Sequence, residues 1–231
     1  MCKQYNLSIF ALNYAKCIIN IVIFGATGFS GQVILKLALS KGFQVTVLVR
    51  NKSDISIQHE NLIIIQGNVL NTNDVRKALE HQEAVIQCLG IGGKGDGNHN
   101  TFISDATNII VKEMEQLQIK RLIAMSNIGA GNSYRFQPWY FRKVILPYFM
   151  KWLKVIIDDK NQMEPIIMNS KLDWTIVRCP NIIDKTQKGN VLVTLDGKGL
   201  KLTVTLGDMS DFMIQQIIDR TYSKQAPSIS N

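Results

Sequence analysis

The sequence predicts a single α/β domain, in which a mostly parallel sheet carries helices on both faces. Short apolar runs rich in β-branched residues alternate with stretches of helical spacing, and polar or glycine-rich turns follow the strands. The length of 231 residues and the 46% apolar content suit one globular domain. We divide the chain into an N-terminal extension (1–17), the domain (18–222) and a C-terminal tail (223–231).

The first half of the chain contains five predicted strands, each a short apolar run. They cover residues 18–24, 43–49, 62–65, 84–89 and 121–125. Helices are predicted over residues 28–40, 74–79 and 101–117, the second capped by Asn71 or Thr72. Right-handed crossovers place the carboxyl ends of such strands at one edge of the sheet, where ligands bind in open α/β folds.

The second half begins with a long connection, residues 127–150, that is rich in aromatic side chains and predicts a lid. A helix over residues 150–170 and a sixth strand over 174–177 follow. Two short runs, 191–195 and 201–204, flank Asp-Gly-Lys-Gly and predict a hairpin. A helix over residues 208–220 closes the domain, and the small C-terminal elements are expected on the substrate side.

A glycine-rich turn follows the first strand and opens the first helix. Gly25 permits the tight turn, Gly28 lets the backbone approach a pyrophosphate, and Gly31 allows close packing of the helix on the strand. The helix N-terminus offers free N–H groups to phosphates. This arrangement predicts a Rossmann-type doubly wound sheet that binds a dinucleotide. The candidate cofactor-binding residues here are Gly25, Thr27, Gly28, Phe29, Ser30 and Gly31.

The end of the second strand favours NADP (NADPH) over NAD. An enzyme that prefers NAD places an acidic residue there for the ribose 2′-hydroxyl, whereas this chain has Arg50, with Lys52 nearby. The planar guanidinium of Arg50 matches a 2′-phosphate. The alternative is that Arg50 is only a solvated cation of the loop.

Four segments resemble the atypical short-chain dehydrogenase/reductase group, which has NmrA-like members. They are IVIFGATGFSG (21–31), VTVLVR (45–50), DWTIVRCP (173–180) and VTLDGKG (193–199), and they extend over nearly the whole chain. Within that group the chain is most similar to the biliverdin-IXβ reductase/flavin reductase subgroup. The resemblance implies that further residues contact the cofactor or the substrate.

By that resemblance, Asn68 and Val69 lie against the adenine, although the family usually has Asp at the position of Asn68. Leu89 and Gly90 pass close to the cofactor after the fourth strand. Ser126 aligns with the active-site serine, the one candidate catalytic residue. The alternative is that Ser126 only satisfies backbone groups at a strand end. The residues expected to border the nicotinamide are Pro180, Asn181 and Ile182.

The Y-x-x-x-K pair of most short-chain dehydrogenases is absent, because no tyrosine of the aromatic connection is followed by lysine four residues later. Positioning without proton transfer suits an acceptor that is protonated by solvent. The sequence therefore predicts an NADPH-dependent reductase of planar conjugated acceptors such as a flavin, a quinone or a tetrapyrrole. Two alternatives remain: a non-catalytic NADP-sensing regulatory protein of NmrA-like type, and a membrane-peripheral scaffold or assembly factor. The second of these alternatives is suggested by the basic aromatic stretch 139–154.

Composition limits the remaining classes. The four cysteines form no metal-binding or disulfide pattern, which indicates reduced thiols and a cytoplasmic protein without metal. The net charge of +8 accompanies no nucleic-acid-binding motif. We expect no nucleic acid as a partner, a small planar substrate in preference to a membrane surface, and a monomer or small homo-oligomer.

Overall fold

A computed structural model describes residues 19–91 and 98–231. The predicted N-terminal extension (1–17) lies outside the described residues, as does most of the glycine-rich loop that follows the fourth strand. Within the described chain the architecture is a Rossmann-like α/β domain, and the predicted fold class is confirmed.

The central sheet has eight strands in the order β3-β2-β1-β4-β5-β6-β10-β8, and only β8 runs antiparallel to its neighbour. The strand order changes direction between β1 and β4, which is the switch point at which such sheets open a crevice. The strands of this sheet are β1 (Asn20–Phe24), β2 (Gln44–Val49), β3 (Leu62–Gln66), β4 (Ala84–Gln87), β5 (Arg121–Asn127), β6 (Asp173–Cys179), β8 (Leu192–Thr194) and β10 (Ser228–Ser230).

Helices cover both faces of this sheet. The α-helices are α1 (Phe29–Ser40), α2 (Thr72–Leu79), α3 (Phe102–Gln116), α4 (Lys151–Met168) and α5 (Leu206–Ile218). One apolar core lies between the sheet and the pair α1 and α5, and a second lies between the sheet and α2, α3 and α4. Strands β1 and β4 are buried on both faces, which explains why they are continuous apolar runs in the sequence.

The hairpin predicted around residues 196–199 is wrong. Strand β8 pairs with β10, antiparallel, while β9 (Thr203–Thr205) pairs in parallel with β7 (Asn181–Ile183) in a separate two-stranded sheet. The Asp-Gly-Lys-Gly turn is present. The two strands that flank it, β8 and β9, have only three residues each, and each pairs with a strand from a distant part of the chain.

Two further stretches are more ordered than the sequence predicts. The segment expected as a C-terminal tail (223–231) contains β10, whose residues are buried between β6 and β8. The connection 127–150 contains a 3₁₀-helix (Gly131–Phe136) and a π-helix (Phe141–Phe149) instead of an irregular loop. Pro147 lies inside the π-helix, where its missing N–H fits the irregular i→i+5 bonding.

Candidate dinucleotide site

A cleft of about 660 Å³ opens at the carboxyl ends of β1 to β5, at the predicted switch point. Most of the candidate cofactor residues line it. They are Gly25, Thr27, Gly28, Phe29, Ser30, Arg50, Asn68, Val69, Leu89 and Gly90. Gly31 belongs to the same turn but is buried behind it.

The three glycines of the turn meet different demands. Gly25 has φ +94°, and a Cβ there would lie 2.7 Å from the carbonyl oxygen of Cys88 at the end of β4. A Cβ on Gly31 would lie 2.0 Å from the carbonyl oxygen of Gly25, so this glycine permits the close approach of α1 to the turn. A Cβ on Gly28 would meet only the Gly25 oxygen at 3.3 Å. Sterics inside the protein therefore require glycine at residues 25 and 31, whereas Gly28 leaves free space on the cleft side.

The N-terminus of α1 is suited to an anion. Gly28 is the N-cap residue and provides no side-chain cap, and the first turn contains no acidic residue. The first N–H groups of a helix have no partner within it, and they carry partial positive charge. Because Gly28, Phe29 and Ser30 line the cleft, these N–H groups are available to a pyrophosphate there.

The cleft is electrostatically positive along its described lining. Arg50, which follows β2, is exposed and is the one charged residue among the described residues that line it. A carboxylate for a ribose 2′-hydroxyl is missing from that set. This donor set fits the phosphates of NAD(P)H and, at Arg50, a 2′-phosphate.

Asn68 uses its side-chain oxygen within its own turn. Its Oδ1 accepts a hydrogen bond from the N–H of Leu70 at 3.0 Å, and its own N–H donates to Asp74 Oδ2 at 2.8 Å. Because Asn68 also lines the cleft, its side-chain NH₂ group is the donor that this residue can offer a ligand there. An aspartate at this position could form the same turn but could not provide that donor.

The other end of the cleft is apolar. Leu89, Ile91, Phe102, Met125 and Ile156 line it, contributed by the ends of β4 and β5 and by α3 and α4. One amide, that of Asn100, lies beside Phe102, whose N–H donates to its Oδ1 at 2.7 Å. Where a nicotinamide would lie, the described walls therefore offer packing and water exclusion, and no tyrosine, histidine or carboxyl group.

Lys160 of α4 lies directly behind this apolar end, and the sequence analysis missed it. Its Nζ donates hydrogen bonds to the carbonyl oxygens of Met125 at 2.7 Å and Leu89 at 3.3 Å, both cleft residues. Burial lowers the pKa of Lys160 to about 8, against the opposing influence of Asp159 and Glu164. Ile156, one turn earlier on α4, faces the cleft.

Lys160 is not part of a Y-x-x-x-K pattern, because the residue four positions before it is not a tyrosine. The helical spacing of α4 nevertheless indicates that Lys160 is buried. Lys160 and Glu164 fall in register with the buried residues Ile157, Met163 and Ile167, and charged residues on the apolar side of a helix are rarely buried without a role. Ile156 occupies the position at which the sought pattern has its tyrosine.

Ser126 contacts α4 instead of the cleft. Its side chain is 1% exposed, and its Oγ donates to Glu164 Oε1 at 2.8 Å. Arg178 at the end of β6 holds the same carboxylate through Nε at 3.0 Å and Nη2 at 2.6 Å. The sequence suggested that Ser126 binds either the substrate or backbone groups. Its partner in the structure is neither of these but the buried carboxylate of Glu164.

Three other candidates lie apart from the cleft. Pro180, Asn181 and Ile182 follow β6, and the N–H of Asn181 donates to the carbonyl oxygen of Leu202 at 3.2 Å as β7 begins. Their contact with nicotinamide stays a prediction. Residues 127–150 do not line the cleft either, so their aromatic side chains do not form a closed lid over it.

Buried thiols add no reactivity to the site. Burial raises the pKa of Cys88 and of Cys179 to about 12, so neither is a thiolate near neutral pH. Within the described ranges, no group of three or more histidine, cysteine or acidic residues could hold a metal ion. No helix of that part of the chain is long and apolar enough to cross a bilayer.

Comparison with solved structures finds the same fold in other proteins. The anaerobilin reductase ChuY of Escherichia coli superposes with a TM-score of 0.73 at 18% identity, covering 91% of this chain and 96% of that one. A short-chain dehydrogenase/reductase of Veillonella parvula, solved in complex with NADP, superposes with a TM-score of 0.75 at 18% identity, covering 92% and 94%. At this identity the likeness establishes the fold.

Sequence comparison agrees. The chloroplast divinyl chlorophyllide a 8-vinyl-reductase of Arabidopsis thaliana is 27% identical over 187 residues, which are 78% of this chain and 43% of that protein. A family model described as NAD(P)H-binding matches residues 25–220, most of the chain and all of the described cleft. This chain therefore belongs to the NAD(P)H-binding family of Rossmann-fold oxidoreductases, related to the atypical short-chain dehydrogenase/reductases.

Proposed function

We propose that this protein is a reductase that uses NADPH to reduce a planar conjugated acceptor such as a flavin, a quinone or a linear tetrapyrrole. The observation that carries the proposal is the apolar end of the cleft. Its described walls offer apolar packing surfaces and no side chain that could protonate a developing alkoxide. Support also comes from the family and from its tetrapyrrole-reducing fold neighbour.

The phosphate end of the site provides binding and orientation. The N–H groups at the start of α1 bind the pyrophosphate, and Arg50 pairs with the 2′-phosphate. The NH₂ group of Asn68 donates to the adenine. These contacts fix the adenosine half, so that the other half extends along the ends of β4 and β5.

The reactive end provides a dry, rigid surface. Ile156 and Met125 exclude water from one side, and Lys160 holds the two strand ends by their carbonyl oxygens, behind the reacting atoms. When bound, NADPH supplies a hydride, that is, two electrons and one proton. Reduction of a flavin needs one further proton, which water can deliver because the reduced ring delocalises its charge.

The test is NADPH oxidation by the purified full chain. We expect turnover with FMN or a quinone, slower turnover with NADH, and none with simple ketones. Tyr140→Phe and Tyr148→Phe should retain the rate, because both side chains are exposed and neither lines the cleft. Tight NADPH binding without turnover of any acceptor would instead favour the NADP-sensing alternative, which the lack of an acid in the described cleft also fits. Efficient ketone reduction would contradict the proposal.

A further inference from the structure

The surface formed by residues 138–151 is aromatic, basic and exposed; we call it the aromatic surface. Trp139 is 65% exposed, Tyr148 71% and Phe149 77%. Tyr140 and Val144 are exposed as well. Exposed apolar residues are usually scattered, whereas a contiguous group of large ones marks an interaction surface.

The packing of this segment explains why its rings point outward. Leu146 is its one buried side chain and anchors the π-helix on the domain. The rings of Trp139 and Tyr140 meet edge to face, with centroids 6.2 Å apart. Residues 127–150 do not line the cleft, so a dinucleotide bound there would leave this surface free.

The aromatic surface lies within a stretch of sequence that contains cations and no acidic residue. Residues 128–157 contain five cations and no acidic residue, although the whole chain has 18 acidic residues. The cations are Arg135, Arg142, Lys143, Lys151 and Lys154. The first acidic residue beyond the segment is Asp158, which pairs with Lys154. Lys143 and Lys151 are exposed beside the aromatic rings.

We propose that the aromatic surface docks on an anionic lipid bilayer, with its rings at the headgroup level and its lysines against lipid phosphates. Tryptophan, tyrosine and phenylalanine beside lysine and arginine are the side chains that favour this interface. Electrostatic complementarity selects this occupant over a second copy of the chain. A two-fold contact would place the five cations of one copy against those of the other. The proposal departs from the expectation of a small substrate in preference to a membrane surface, and it is independent of the reaction that the cleft performs.

The test is flotation of the full chain with vesicles of phosphatidylcholine alone or mixed with phosphatidylserine. We expect binding to the mixed vesicles, weaker binding to phosphatidylcholine, and release by salt. Trp139→Ser combined with Phe149→Ser should weaken binding by roughly tenfold or more, since each ring buries apolar area at the interface. Lys143→Gln combined with Lys151→Gln should weaken binding to the mixed vesicles only.

Matched controls are available elsewhere on the surface. Leu202 is 83% exposed, so Leu202→Ser removes an equally exposed apolar side chain, and Lys36→Gln removes an exposed lysine of α1. Both should bind vesicles like the parent. NADPH affinity should be unchanged in every variant, which separates docking from unfolding. Absence of binding to the mixed vesicles, binding that ignores the aromatic variants, or a concentration-dependent dimer that these variants abolish would each overturn the proposal.

Discussion

Lys160 of α4 donates a hydrogen bond from its Nζ to the carbonyl oxygen of Met125 at 2.7 Å, and so places a buried cation behind the reactive end of the cleft. The charge is poorly solvated, and burial lowers the pKa of this lysine from 10.5 to about 8. A group that titrates so close to neutral pH makes the electrostatics of the site dependent on pH.

We expect the affinity for NADPH to fall as the pH rises through about 8. Below that value Lys160 is charged and attracts the anionic cofactor, and above it the charge is lost. The loss should be about tenfold, equivalent to ~1.4 kcal/mol. Titration calorimetry on both sides of this pH checks it, with Lys160→Met as the variant in which the dependence disappears. A dependence that persists in Lys160→Met would assign it to another group.

Arg50→Ala should weaken NADPH binding by about 1.5–3 kcal/mol, the range for a hydrogen bond to a charged group, and leave NADH binding nearly unchanged. Lys52→Ala is the matched control, because Lys52 is exposed nearby but does not line the cleft. Fluorescence titration of both cofactors measures the four affinities. Equal losses for NADPH and NADH in Arg50→Ala would show that the guanidinium does not read the 2′-phosphate.

Gly28→Val should abolish cofactor binding and leave the fold intact. The first atom of the new side chain meets only the Gly25 oxygen at 3.3 Å, and the rest projects into the space that the pyrophosphate needs. Gly31→Ala should instead destabilise the protein, since its Cβ would lie 2.0 Å from that same oxygen. Thermal unfolding and NADPH titration of the two variants distinguish these effects. A folded Gly28→Val with normal affinity would move the phosphate site elsewhere.

Ser126→Ala should act mainly on stability. It removes a hydrogen bond to the buried carboxylate of Glu164, which costs about 1.5–3 kcal/mol of the free energy of unfolding. The rate with FMN should fall by less than about tenfold, because the hydroxyl does not line the cleft. Denaturant unfolding and steady-state rates measure both, with Ser40→Ala as a control for an exposed serine hydroxyl. A large rate loss at unchanged stability would restore Ser126 to a catalytic role.

Local signals in the sequence were sufficient for the strands β1 to β6 and for the phosphate turn. Strands β1 and β4 are buried on both faces and therefore appear as continuous apolar runs. Gly25, Gly28 and Gly31 lie within seven residues, so their spacing alone specifies the turn. The family resemblance implied cofactor contacts for Asn68, Leu89 and Gly90, and these residues do line the cleft.

Contacts between distant parts of the chain could not be predicted in this way. Strand β8 was assigned to the wrong partner because its real one, β10, is at the far end of the described chain. Ser126 and Glu164 are 38 positions apart in the sequence, and no local pattern predicts their contact. The π-helix depends on the anchoring of Leu146, a tertiary contact that periodicity does not contain.

Helix α4 supports the apolar end of the cleft and not the phosphate end. Three charged side chains of this helix contact different elements. Asp159 caps the start of α3, and Lys160 binds the ends of β4 and β5. Glu164 links β5 to β6. The phosphate end needs none of them. A substitution that loosens α4 but keeps the charge of Lys160 should therefore leave the adenosine half anchored while the redox half loses its fixed orientation. Affinity and turnover would then vary separately, and natural variants of this one helix could convert an enzyme into a nucleotide receptor without altering the glycine turn.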